Sequence, residues 1–143
     1  MTKDKEALEK RRARERTALN HFVTWVIGLW DQGLTDLEVY WEWPHLCSGW
    51  NVEALEKQGR SWLAARIDGC RFGMRNAAGT EFIRKQWRVM TSDVVFAQEY
   101  KYKICQGNHR HATIEGSETN RTSYYPVAMV RSIAQLLAPK AEA

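Results

Sequence analysis

Four short stretches of this 143-residue chain carry side chains able to do chemistry. The first is Trp41-Glu42-Trp43-Pro44. An apolar run leads into it and Pro44 has no N–H for a ladder, so a strand is expected to end there with Glu42 at its tip. Ligands of open α/β sheets bind beyond the carboxyl ends of strands, and two indole neighbours would desolvate the acid. Such a carboxylate could donate a proton to a ring nitrogen. It could equally serve structure by pairing with Arg71, Arg84 or Lys85.

The second stretch is Cys105-Gln106-Gly107-Asn108-His109-Arg110-His111. In an extended segment His109 and His111 fall on one face, so both imidazoles and the Cys105 thiolate could meet one zinc ion. A fourth ligand would come from Cys70, Cys47 or His45. The alternative is a polar loop holding a buried cysteine. The third stretch, Asp68-Gly69-Cys70-Arg71-Phe72-Gly73, sets two glycines about a cysteine and a phenylalanine, which predicts a tight bend pressed against another element or a ligand. Cys70 has no histidine beside it in sequence to activate it, so a small buried residue is the plainer reading. In the fourth, Lys85-Gln86-Trp87-Arg88, cations flank an indole at a strand entrance. That mix suits contact with phosphates and bases, though basic residues at sheet edges are also common.

These residues need elements to position them. From Leu19 the apolar residues Phe22, Val23, Val26, Ile27 and Trp30 keep helical spacing, with Gly33 as the stop. The helix is expected to reach back to about Asp4 through a polar first half. Strands are predicted at Leu37–Trp41, Trp62–Asp68 and Trp87–Thr91. A short helix capped by Ser48 or Asn51 carries Val52 and Leu55 and closes at Gly59. Ser92-Asp93 opens a helix through Val94, Val95, Gln98 and Tyr102, residues 105–121 form a loop, and Pro126 opens a last helix through Val127, Val130, Ile133, Ala134 and Leu137. Alternation of strands and helices points to an α/β sheet with packed helices. The chain divides into a basic helical arm over residues 1–18, one α/β domain over 19–138 and a tail over 139–143.

Composition narrows the classes. No apolar run approaches the ~20 residues that span a bilayer, and the charged start is unlike a signal peptide, so an intracellular protein (cytoplasm or nucleus) without a membrane partner is expected. Three widely spaced cysteines do not make a disulfide framework. Net charge is +4, and residues 1–16 hold seven Lys/Arg against four acids, so most of the basic character sits in the arm. Arg11, Arg12, Arg14 and Arg16, with Lys85, Trp87 and Arg88, are the candidate nucleic-acid contacts. Interleaved acids at helical spacing would also suit a solvated helix start.

In order, Glu42-Trp43-Pro44, Trp50, Asp68-Gly69-Cys70-x-Phe-Gly73, Lys85-x-Trp-Arg-Val-x-Thr91-Ser92, Cys105-x-Gly-x-His-x-His111 and Tyr125-Pro126 resemble a domain of copia-type retrotransposon polyproteins. That domain is similar to the second half of phage-type DNA cytosine-5 methyltransferases, and the resemblance covers about residues 37–137. It implies a partial Rossmann-like, methyltransferase-like sheet, and a Glu42 matching the glutamate that contacts the target cytosine. The family's Asn before Pro is Trp43 here, its Pro in Lys-Pro-Thr is Gln86, and its Asn after Thr is Ser92. Residues 1–36 hold neither the family's Pro-Cys nucleophile loop nor its Gly-rich cofactor loop. The resemblance therefore implies a catalytically incomplete domain of mobile-element origin that binds nucleic acid or assembles with other polyprotein segments. S-adenosylmethionine is not an expected cofactor of this chain, and zinc is the one ion the residues suggest. The competing expectations are an enzyme fragment working through Glu42 and a structural zinc module.

Overall fold

A computed structural model describes residues 2–53, 55, 57 and 62–139. Helix α1 (Lys3–Asp31) is followed by strands β1 (Tyr40–Pro44), β2 (Leu63–Asp68) and β3 (Gln86–Thr91). Then come helices α2 (Val94–Tyr100), α3 (Ser117–Arg121) and α4 (Val127–Leu137). Short 3-10 turns stand at Ser48–Asn51 and Gly69–Phe72.

The sheet is small and antiparallel. β3 lies in the middle, β1 and β2 at the edges, and both run against β3. This corrects the expected Rossmann-like sheet, whose strands would be parallel. A parallel pair needs a crossover, usually a helix, to carry the chain back to the same end. Between β2 and β3 there is instead a tight turn and a small irregular hairpin, in which Arg75 bridges Phe82, so β3 returns beside β2 in reverse. Alternating apolar residues locate a strand but carry no information on its direction.

Each face of the sheet covers a core. On one, Ala65, Ile67, Trp87 and Val89 pack with Phe96 and Tyr100 of α2 and Met129 of α4. On the other, Met90 packs with Leu19, Val23 and Val26 of α1 and with Val39, Leu55 and Trp62. Burying each such aliphatic side chain is worth about 1.5–3 kcal/mol. In α1 the first buried residue is Leu19, and the preceding turns are solvated and carry Lys10–Glu6, Arg12–Glu9 and Arg11–Glu15 ion pairs.

Several expected boundaries shift. β1 begins three residues later than its predicted start and includes Pro44. The proline is tolerated because β1 is an edge strand and its nitrogen faces away from β3. The ladder even continues past it, with the His45 N–H donating to Gln86 O at 2.9 Å. Asp93 caps α2 by accepting from Phe96 N at 3.1 Å. The side chains that α2 buries are Phe96, Ala97 and Tyr100, whereas Val94 and Val95 are exposed. In α4 the fully buried residue is Met129, not Val127 or Val130, and residues 117–121 of the predicted loop are helical. The expected stop at Gly59 and the tail beyond residue 139 lie outside the described residues.

Candidate metal centre

Cys70, Cys105, His109 and His111 come together at one end of β2, with their ligand atoms all within 4.8 Å of one another. Two glycines make the bend that presents Cys70. Gly69 lies so close to the next strand that an added Cβ would meet Met74 Sδ at 3.0 Å and Lys85 O at 3.3 Å. Gly73 closes the turn at φ 79°, a conformation that disfavours side chains. The expected tight bend against another element is therefore present.

The partner segment is pinned from two sides. Asp68, fully buried at the end of β2, accepts the Cys105 N–H at 2.7 Å, and its own N–H donates to Lys103 O at 3.2 Å. Downstream, Phe82 bridges His111, accepts the Ala112 N–H at 2.8 Å and stacks on the His109 ring at 4.3 Å. The segment between these anchors is not extended as expected but bends, with Gly107 at φ 74°, and it brings the two imidazoles together with ring centroids 4.7 Å apart.

The separations suit a tetrahedral ion. Cys105 Sγ lies 3.6 Å from His109 Nε2 and 3.4 Å from His111 Nε2. Zn–S of about 2.3 Å and Zn–N of about 2.0–2.1 Å give a tetrahedron whose S···N edge is about 3.6 Å. Outer contacts fit as well. His109 Nδ1 is 2.8 Å from Asn108 Oδ1, an arrangement that puts the proton on Nδ1 and leaves Nε2 free to ligate. The Gly107 N–H donates to Cys105 Sγ at 3.3 Å.

Burial pushes the Cys70 thiol up to about 12, and the neighbouring Cys105 and Asp68 add to the rise against a smaller opposing effect of Arg84. His111 is held below the usual histidine range by burial, then by His109 and Arg84. A dication among the four would reverse the thiol's penalty and needs the neutral imidazole that His111 already favours.

Of the three expected sources of a fourth ligand, the geometry selects Cys70. Cys47 turns instead to accept from Gly49 N at 3.4 Å, and His45 lies on the α1 face of the sheet. Asp68 was legible only as turn chemistry, since its use as a clamp depends on two segments 37 residues apart meeting. Asn108 lay in the motif without an assigned role. A polar residue next to a potential ligand was the available signal.

The other candidates fall elsewhere. Glu42 sits in mid-strand opposite Val89, and its Oε2 accepts the Tyr125 hydroxyl. The indoles of Trp41 and Trp43 do not surround it, because strand alternation sends them to the opposite face, where they pack in the α1 core. Glu42 and Tyr125 border an apolar cavity of about 420 Å³ lined by Tyr40, Phe96, Met129 and Ile133. Burial and then the bond to Glu42 raise the Tyr125 phenol to about 12.

Trp87 is only 3% exposed and packs on Tyr125 at 5.3 Å, so its indole belongs to the core and is not open to a base. Lys85 is half-buried and donates to Thr122 O. Arg88 lies over Trp50 at 4.9 Å. Arg11, Arg12 and Arg16 border a cleft of about 630 Å³ between α1 and the indoles of Trp41 and Trp43, and Arg14 is exposed on the same helix. Among the described residues no helix is long and apolar enough to cross a membrane.

The chain matches no protein-family model, no curated protein and no solved structure.

Proposed function

We propose that this chain is a zinc-stabilised module in which Cys70, Cys105, His109 and His111 hold one structural ion. The carrying observation is the four-atom cluster with S···N separations of 3.4 and 3.6 Å. Four protein ligands complete a tetrahedron, whereas catalytic zinc keeps one position for water or substrate. The ion would fasten the 105–111 segment to the end of β2, much as a disulfide would. Metal analysis of the purified chain tests this, with about one zinc per chain expected and its loss expected in His109→Ala.

A second reading concerns what the module does, and it is favoured by the cleft beside α1. Arg11, Arg12 and Arg16 line it together with Trp41 and Trp43, a pairing of cations and rings that suits single-stranded nucleic acid. We therefore take nucleic-acid binding, without catalysis of its own, as the activity. The mobile-element, methyltransferase-like origin belongs with this reading, and a segment of a larger polyprotein would be a natural partner. Binding of oligonucleotides across a salt series tests it. Methyl transfer from labelled S-adenosylmethionine to DNA, abolished by Glu42→Gln, would overturn the binding-only view.

A further inference from the structure

The α1 face of the sheet carries a charge arrangement that is short of acids among the described residues. β2 and β3 set Arg66 directly opposite Arg88, a like-charged cross-strand pair that opposes folding. Both side chains leave the sheet on the face opposite Ala65, Ile67, Trp87 and Val89, which fill the other core. His45 joins them. Its N–H bonds Gln86 O, which places it one row from Arg88 on the same face. It is held below the usual histidine range by burial, then by Arg66 and Arg88, with Asp68 opposing.

Among the described residues one acid answers this group. Asp68 Oδ2 takes Arg66 at 3.1 Å and Arg84 at 3.7 Å, and it is already committed to the Cys105 N–H. Among the described residues Arg88 has no carboxylate partner, and its guanidinium rests on the Trp50 ring at 4.9 Å. Trp50 is itself fixed by its Nε1–H, which donates to Pro44 O at 2.9 Å. A guanidinium seated over an indole keeps N–H groups free, and its planar fork can take a phosphate bidentately. Among the described residues Arg66 Nε and His45 Nδ1 are buried without a hydrogen-bond partner, as is Oδ1 of the neighbouring Asp68, the usual mark of a missing water or ion.

We infer that Arg66, Arg88 and His45 form a binding site for a phosphate group. Arg88 supplies the planar fork, Arg66 the second cation and His45 a ring nitrogen at the margin. The anion offsets the Arg66–Arg88 repulsion that the fold otherwise leaves standing. The site is distinct from the metal cluster, to which it is joined only through Asp68. A free phosphate and the backbone of a nucleic acid share this chemistry. A row of half-buried rings, Trp41–Trp43 at 5.2 Å and Trp43–Trp50 at 5.5 Å, leads from the α1 cleft to Arg88.

Calorimetric titration of the zinc-loaded full chain at low salt tests the inference, using inorganic phosphate, pyrophosphate and a short oligo-dT strand in turn. Arg88→Gln is the informative variant, because Arg88 takes no part in the Asp68 clamp. We expect saturable binding that weakens roughly tenfold or more in Arg88→Gln, with zinc content and melting temperature unchanged. If that variant does not fold, the same loss in His45→Gln decides. Binding of pyrophosphate without the strand assigns a free phosphate as ligand, and a much tighter strand assigns a nucleic-acid backbone. No saturable binding of any probe, or binding unchanged by the substitution, overturns the site.

Discussion

Asn108 is a sharper probe of the metal cluster than any ligand, because it touches no metal. Its side chain sets the His109 tautomer from 2.8 Å away, so Asn108→Ala should leave the fold intact and weaken zinc binding about 10–100-fold, read by competition with a chelating dye. Tyr125 offers a second test. Its phenol is raised from the ordinary value near 10 to about 12, so the folded state favours the protonated form. That contribution is complete below about pH 10 and is lost as pH climbs towards about 12. Urea midpoints between about pH 9 and 11.5 should therefore fall more steeply for the wild type than for Tyr125→Phe. An equal slope would mean that the Glu42 bond does not persist in solution. At this scale the sequence was informative where residues act within one segment. Cys105, His109 and His111 could be grouped because an extended chain puts alternate residues on one side. Cys70 remained one of three choices, and Asp68 was missed, because both depend on β2 ending beside Cys105, 35 and 37 residues away.

The element that most constrains the site is the turn after β2. An alanine at Gly69 would press on Met74 Sδ at 3.0 Å and on the Lys85 carbonyl and the Trp87 ring at 3.3 Å. Two of those neighbours cannot yield without moving β3 or the core. Gly69→Ala should cost about 1–3 kcal/mol in denaturant unfolding and should lower zinc affinity as well, since Cys70 is the next residue. Stability loss with unchanged zinc affinity would show that the turn and the cluster are separable. Strand and helix positions were largely legible, because α1, β2 and β3 each bury a clear apolar stripe. β1 was displaced by the assumption that Pro44 must end pairing, an assumption that fails for an edge strand with its proline nitrogen turned outward. Strand direction was not legible at all. It is fixed by how short connections close, and the β2–β3 link closes as a reversal.

In the whole molecule, one sheet with a core on each face carries an arm in which residues 2–16 bury no side chain fully. Removing residues 1–16 should then leave the melting temperature within a few degrees while reducing oligonucleotide affinity and flattening its dependence on salt by up to about one logarithmic unit per lost phosphate contact. Unchanged affinity would move the binding surface away from the arm and its cleft. The metal cluster sits at the far end of this economy of parts, joining the 105–111 segment to β2 where little apolar packing is available to do so. The central claim is that this junction is an ion. Elemental analysis of the chain purified without added metal measures it directly, in the wild type and in Cys105→Ser and His111→Ala. About one zinc per chain in the wild type and none in either variant is the predicted result; a metal-free wild type, or zinc retained in both variants, would contradict it.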